Sequence, residues 1–173
     1  MPPPRLLSPA AIDDLLLYRL SRLLAVGGSV VVRLCEGVYG ITRREWRVLA
    51  LLAREEGLLS SQLAERAQLD RARTSRAITS LVAKKLAVRQ VGRGDRRQAR
   101  IALSPAGRTL YDELFPRVLE VNRELLEALQ PAQAAALDAV LDSLQARADE
   151  IVARGGLPKA DRRRRGRARA PLG

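Results

Sequence analysis

The sequence predicts a mainly α fold with one small β-hairpin, and three observations carry that expectation. Apolar residues make up 47% of the 173-residue chain but aromatics only 3%, which favours helices packed through aliphatic side chains. Apolar residues recur at spacings of three and four over most of the chain, the mark of amphipathic helices. Only between Leu86 and Leu103 does the period fall to two, the mark of paired strands. The length suits one domain with a real core, or a compact domain with tails.

Residues 1–7 read as an extended Pro-rich lead. Ser8-Pro9 has the form of an N-cap followed by Pro at the first helical position. Ile12, Leu15, Leu16, Leu20, Leu23 and Leu24 continue at helical spacing, so a first helix is expected from there to about Cys35. Gly27-Gly28 marks a place where it kinks, thins for close packing, or breaks. A helix this long with so apolar a stripe needs a partner surface, and a second subunit would supply one, making residues 8–40 a dimerisation segment.

After a turn at Gly37 to Gly40, Thr42-Arg-Arg-Glu45 has the spacing of a capping box. A second helix starts there, turns Trp46, Leu49, Leu52 and Ala53 inward, and ends near Gly57. Ser60 or Ser61 caps a short third helix, Gln62 to Ala67. Only Gln68 and Leu69 separate it from a fourth, which Asp70 caps and which runs to Lys84. In that helix Ile78, Leu81 and Val82 face a core. Arg76, Ser80 and Arg73 fall at about 240°, 280° and 300° from Asp70, so two arginines and a serine share one ridge. A capped, basic helix with small Ala72 and Ala83 beside its arginines fits a DNA major groove. Two short helices joined by so brief a turn form the pattern of a helix-turn-helix.

Leu86 to Val91 and Ala99 to Leu103 then form an antiparallel hairpin around Gly92-Arg-Gly-Asp-Arg-Arg97. A basic hairpin directly after a helix-turn-helix reads as a wing, and Arg93, Arg96 and Arg97 at its tip suit the narrow minor groove. Residues 41–104 are thus expected to form a winged helix-turn-helix DNA-binding lobe. Ser104-Pro105 caps the next helix, with Leu110, Leu114, Val118, Val121, Leu125 and Leu129 at helical spacing. Pro131 opens a last one with Leu137, Val140, Leu141, Leu144 and Ile151. The helices of 105–155 pack either within one chain or against the first helix of a second chain. Dimerisation is preferred, because the winged lobe already has its own core and the outer helices have faces left to bury. Residues 156–173 keep no apolar period and read as a disordered basic tail.

The net charge is +12, and it is concentrated. Residues 70–100 carry ten Lys or Arg against two Asp, and residues 159–169 carry seven against one, leaving the remainder slightly negative. Two basic patches on a near-neutral body point to a polyanionic partner. There is no His and one Cys, which excludes a zinc finger, a disulfide framework and His-based catalysis. No paired acid and base, metal set or phosphate-binding Gly loop is present, so no enzyme, metal or cofactor is expected. No run of about 18 apolar residues appears and the N-terminus lacks a signal-peptide pattern, so the cytoplasm is the expected location, with no membrane partner.

Several stretches together resemble the MarR-type regulators, a family of winged-helix transcription factors. They are Leu59-Ser-Ser-Gln-Leu-Ala64, Asp70 followed by Ser75-Arg-Ala-Ile78, the wing Gly94-Asp-Arg-Arg97, and Ile101-Ala-Leu-Ser-Pro-Ala-Gly107. The resemblance covers about residues 10–153 and is most specific at the wing and the Leu-Ser-Pro-Ala-Gly run. It implies a two-fold dimer joined through terminal helices. It also implies that Arg71, Arg73, Thr74, Ser75, Arg76 and Ser80 sit in or beside the major groove, that Ser60 and Ser61 lie near phosphates, and that Arg96 or Arg97 reaches the minor groove. Asp95 matches the family's wing aspartate, expected to position a neighbouring arginine. Where the family commonly has Gly after the recognition helix, this chain has Lys85, with strain or an altered exit into the wing as the expected consequence.

The resemblance further implies a small aromatic acid bound between the dimer helices and the winged lobe, whose binding releases DNA. Arg19 and Arg33 would meet its carboxylate and Tyr39 and Trp46 would flank its ring; plain core packing is the other reading of the two aromatics. Cys35 lies beside Glu36 rather than a cation and reads as a buried structural thiol, not a redox sensor. The expected function is a sequence-specific, homodimeric DNA-binding repressor on a pseudo-palindromic operator. The alternative is an architectural DNA-binding protein driven by wing and tail without sequence choice.

Overall fold

A computed structural model describes residues 4–90 and 99–156. Among them, the order of elements is α1 (Leu16–Arg33), α2 (Arg43–Arg54), β1 (Leu58–Leu59), α3 (Ser60–Arg66), α4 (Arg71–Ala83), β2 (Ala87–Gln90), β3 (Arg100–Leu103), α5 (Pro105–Leu126) and α6 (Pro131–Arg154). The chain divides after Glu127 into a unit holding every element through α5 and a second unit holding α6. This is the mainly helical, winged architecture that the spacing predicts.

The first helix starts later than its Ser8-Pro9 signal. The Asp14 carboxylate accepts from the N–H groups of Ala10 and Ala11, both at 3.1 Å, and folds the chain into a short 3₁₀ turn, Ile12–Asp14. Leu15 is extended, so α1 begins at Leu16. Gly27 and Gly28 do not break it. They thin it: a Cβ at Gly27 would lie 3.4 Å from the Leu125 methyls of α5, and one at Gly28 3.4 Å from the Arg43 guanidinium. After Arg33 the helix widens into one π turn, Leu34–Val38, which buries Cys35.

Thr42 caps α2 as its spacing predicts, with its hydroxyl accepting from Glu45 N–H at 3.2 Å while the Glu45 carboxylate accepts from Thr42 N–H. Its inward face supplies Val48, Leu49 and Leu52, all fully buried. They meet Leu63 of α3, Ile78 and Leu81 of α4, Ile101 and Leu103 of β3 and Leu114 of α5 in one core. Each such leucine withdrawn from water contributes about 2 kcal/mol.

Leu58 and Leu59 add a strand that alternation did not reveal, because two residues are too few to show a period. It pairs antiparallel with β3, Leu58 opposite Ile101, and β3 pairs with β2, Ala87 opposite Leu103. The described sheet order is therefore β1-β3-β2. Because Leu58–Leu59 is extended, Leu59 and not Ser60 or Ser61 stands at the N-cap of α3. Its N–H donates to Gln62 Oε1 at 2.9 Å.

The helix-turn-helix is built from two left-handed exits. Gln68, at φ 51°, ends α3, with Leu69 N–H donating to Ala64 O at 3.0 Å. Lys85, at φ 59°, ends α4, with Lys85 N–H donating to Val82 O and Leu86 N–H to Leu81 O. This is a Schellman closure carrying a lysine where glycine costs least. The chain then meets the start of α5. The Ser104 hydroxyl donates to Lys85 O at 2.6 Å and accepts from Gly107 N–H at 3.0 Å, while Ser104 N–H donates to Leu86 O at 3.1 Å. Gly107 is there for clearance, since a Cβ would fall 1.9 Å from the Leu86 carbonyl oxygen.

Two substitutions at this joint should act in opposite directions. Gly107→Ala forces α5 off the Leu86 carbonyl and should cost about 3 kcal/mol or more. Lys85→Gly removes a left-handed Cβ penalty and should add about 0.5–1 kcal/mol. Urea unfolding of each variant measures both, and a neutral Gly107→Ala would show that the close approach is not needed.

Candidate nucleic-acid interface

The recognition-type helix α4 is fixed at its start by Asp70. The carboxylate accepts from Arg73 N–H at 2.8 Å and pairs with Arg73 Nε at 3.1 Å. Arg73 is therefore half engaged within its own first turn. Thr74, Ala77, Ile78 and Leu81 are buried, and Arg71, Ala72, Ser75, Arg76, Thr79 and Ala83 are exposed. The exposed face is thus centred on Ser75, Arg76 and Thr79, while Arg73 and Ser80 flank it, half-buried.

This corrects one expected DNA contact. Thr74 has no exposed surface and its hydroxyl donates to Asp70 O at 3.1 Å, so it belongs to the core and has nothing to offer a groove. Ser75, one residue on, is turned outward with Arg71 and Arg76. Ser60 and Ser61 are exposed at the first turn of α3. The wing residues Arg93, Asp95, Arg96 and Arg97, and the tail beyond Gly156, lie outside the described residues.

The far end of α4 is tied to α2 by a buried carboxylate. Glu45 is 2% exposed and pairs with Lys84 Nζ at 2.9 Å, and the same ammonium donates to Gly40 O at 2.8 Å. Burial pushes the Glu45 carboxyl up, but hydrogen bonds from Ser80, Thr42 and Lys84 outweigh it and hold the carboxyl below the usual carboxylate value. Ser80, expected at the DNA ridge, is half-buried and shares a concavity with that carboxylate.

Two basic residues near α4 escaped the sequence reading. Arg89 of β2 donates from Nη2 to Thr79 Oγ1 at 3.0 Å. Arg44 of α2 shares a concavity with Arg73, Arg76, Ser80 and Lys84. Alternation does place Arg89 on the outward face of its strand; what it touches depends on how the strand returns along α4.

Behind the winged lobe, α1, α2 and α5 line an open cavity of about 700 Å³. Its walls are mostly Leu and Val, with Trp46, Arg43, Arg47 and Asn122 as the polar or aromatic exceptions. Of the four residues expected to hold a ligand, Trp46 lines this cavity and Arg19, Arg33 and Tyr39 do not. The α1 residues that face it are Leu20, Leu23, Leu24, Gly27, Gly28 and Val31, a stripe that leaves Arg19 and Arg33 exposed beside it. Tyr39 lies past the π turn, with its hydroxyl donating to Glu113 O at 3.4 Å. The cations at the cavity are Arg43 and Arg47, one turn apart on α2. Desolvation, then repulsion from Arg43, lowers the Arg47 pKa, and neither forms an ion pair among the described residues. Arg47 Nη1 donates to Ala67 O at 2.8 Å, in the turn between α3 and α4. Trp46 stacks on Tyr111 with centroids 5.7 Å apart, and Tyr111 on Phe115 at 5.2 Å. Cys35 is buried, and burial first, then Glu36, raises its thiol pKa, as suits a structural thiol.

Residues 39–98 match the MarR family. Solved structures with the same fold include a MarR-family transcriptional regulator from Silicibacter pomeroyi, 26% identical over 81% of this chain and 94% of that one, with a TM-score of 0.69. A MarR/EmrR family regulator from Acinetobacter sp. ADP1 is 24% identical over 81% and 99%, with a TM-score of 0.74. BpsR of Bordetella bronchiseptica, whose DNA binding is regulated by 6-hydroxynicotinic acid, is 21% identical over 79% and 97%, with a TM-score of 0.71. No curated protein matches the sequence.

Glu45 predicts a pH dependence. Its folded pKa is depressed, so the stability it contributes is present above the ordinary value of 4.5 and is lost as pH falls through the lower folded value. Glu45→Gln should cost about 2 kcal/mol at pH 7, and the gap from the parent should narrow as pH falls below 4.5 and close once pH has passed through the lower folded value. A gap that is the same at pH 7 and pH 3 would rule out the ionised latch.

Proposed function

With a MarR-family winged helix on residues 39–98, in a chain that has the fold of MarR-family transcriptional regulators, we propose a homodimeric repressor that reads a pseudo-palindromic operator and is released from it by a small aromatic acid. The observation that carries this is α4: a capped helix whose exposed face joins Arg71, Ser75, Arg76 and Thr79, braced at both ends by Asp70 and by the Glu45–Lys84 pair. Two-fold symmetry would set two such helices in successive major grooves, about 10 bp apart.

Unburied apolar surface supports the dimer. Leu17, Leu23 and Leu24 of α1 are 79%, 60% and 53% exposed, and Leu125 of α5 and Val140 and Ile151 of α6 are 48%, 51% and 58% exposed. Surface of this kind on three helices is a cost in water unless a second copy covers it.

The cavity supports the ligand. Arg43 and Arg47 would meet a carboxylate and Trp46 an aromatic ring, a chemistry matching the 6-hydroxynicotinic acid that regulates BpsR. Arg47 also supplies a route to DNA release. Its guanidinium holds the Ala67 carbonyl in the helix-turn-helix turn, and an anion in the cavity competes for the same donor. A ligand that draws Arg47 inward loosens the turn that aims α4, which is differential binding to a state with a displaced recognition helix.

Selecting bound duplexes from a random pool tests the reading. An inverted repeat is expected, with affinity falling steeply as salt rises and Arg76→Ala costing about 1–3 kcal/mol on the selected site. Recovery of no common sequence would favour the architectural alternative. On the selected duplex, aromatic acids should release the parent chain, and Arg47→Met, which removes the bond to Ala67 and the ligand's cation together, should weaken DNA binding without ligand and abolish the response to it.

A further inference from the structure

The exposed side of α4 carries two different surfaces. Toward α2 lie Arg73, Arg76 and Ser80. Toward the wing strands lie Arg71, Ser75 and Thr79, spaced at i, i+4 and i+8 along one edge. That second edge does not stand free. Its Arg71 and Ser75 line a concavity together with Ser60 and Ser61 of α3 and Arg89 of β2. Leu59, Ile78, Ala99 and Ile101 complete the lining.

The chemistry of that concavity is one-sided. Among the described residues, two guanidiniums and three hydroxyls line it and no carboxylate does, and neither Arg71 nor Arg89 forms an ion pair. Arg89 is nonetheless held, because Nη2 donates to Thr79 Oγ1 at 3.0 Å. A guanidinium has five donors, and this bond uses one of them. The remaining fork is oriented before any partner arrives, which lowers the entropy lost on binding. Two guanidiniums flanked by hydroxyls suit an anion with several oxygens. A guanine edge offers two acceptors and engages one guanidinium, whereas a phosphate has acceptor oxygens enough for both guanidiniums and the hydroxyls. The place is also right: a helix seated in a major groove about 12 Å wide has a phosphate backbone along each side.

We propose that Arg89, tethered by Thr79, and Arg71 clamp one backbone phosphate of the bound duplex on the wing side of α4, with Ser60 and Ser61 donating to the same phosphate. Arg89 is thus a positioning residue: it sets the register of the helix on DNA and leaves base choice to Arg76. The proposal rests on the DNA-binding reading above and deepens it.

The test uses the full chain on its selected duplex and on a scrambled duplex of equal length. Arg89→Ala should weaken both by a similar factor, about tenfold at 0.15 M salt, and should reduce the slope of log affinity against log salt by about 0.9, one phosphate contact. Arg89→Lys keeps the charge and should keep the slope. A methylphosphonate scan supplies a readout independent of folding: neutralising one phosphate per half-site should weaken the parent chain and leave Arg89→Ala indifferent. An unchanged slope with no such phosphate would overturn the clamp, as would a loss confined to the selected sequence, which would make Arg89 a base reader. A parent chain with no salt dependence on either duplex would instead overturn the DNA-binding reading itself.

Discussion

The winged lobe depends on one hydroxyl, that of Ser104. It donates to the Lys85 carbonyl at the end of the recognition-type helix and accepts from Gly107 N–H at the start of α5. Its own N–H closes on Leu86 O. Three elements therefore leave from one joint: α4 arriving, β2 departing and α5 beginning. Gly107 lets the joint close, since any Cβ there would collide with the Leu86 carbonyl. Within this unit, the angle between α4 and the long α5 is set by the two bonds of the Ser104 hydroxyl and the one from its N–H, which satisfy backbone groups at the end of one helix and the start of the other.

Helix α2 is the second constraint, because it carries different chemistry on its two sides. One side holds Glu45, whose carboxylate joins the helix to Lys84 of α4. The other carries Arg43, Trp46 and Arg47 to the cavity. A rigid helix with the cavity on one face and α4 on the other physically connects the proposed ligand site to the proposed reading helix, and Arg47 adds a shorter connection through Ala67. The proposed release of DNA follows from sharing one donor between two acceptors and needs no longer path.

Local signals were legible wherever the chain solves a local problem. The Thr42–Glu45 box, the Asp70 cap, the Ser104-Pro105 start and the alternation flanking 92–97 each satisfy nearby backbone groups, so their residue types announce them. Ser8-Pro9 misled for the same reason: a valid cap signal lost to Asp14, which satisfied Ala10 and Ala11 first. Lys85 was legible as a departure, and its left-handed φ shows that the Schellman bonds and the Leu81–Leu86 contact outweigh the penalty on a lysine. What was not legible needed tertiary placement. The wheel of α4 put Thr74 on the inward side, yet the resemblance carried it to DNA; its full burial follows from α4 lying across α2 and α3. The cations of the cavity came from α2 rather than α1, because which face of α1 turns inward was decided by the Gly27–Leu125 contact. Arg89 became meaningful only when β2 was seen to return along α4.

A hydroxyl-radical footprint of the full chain on its selected duplex tests the central claim most directly. Two protected windows are expected per site, related by two-fold symmetry and about 10 bp apart, each with the sugars of both strands protected on either side of one major groove. A single unbroken tract, or the same protection on any sequence, would contradict a dimer that reads DNA through α4.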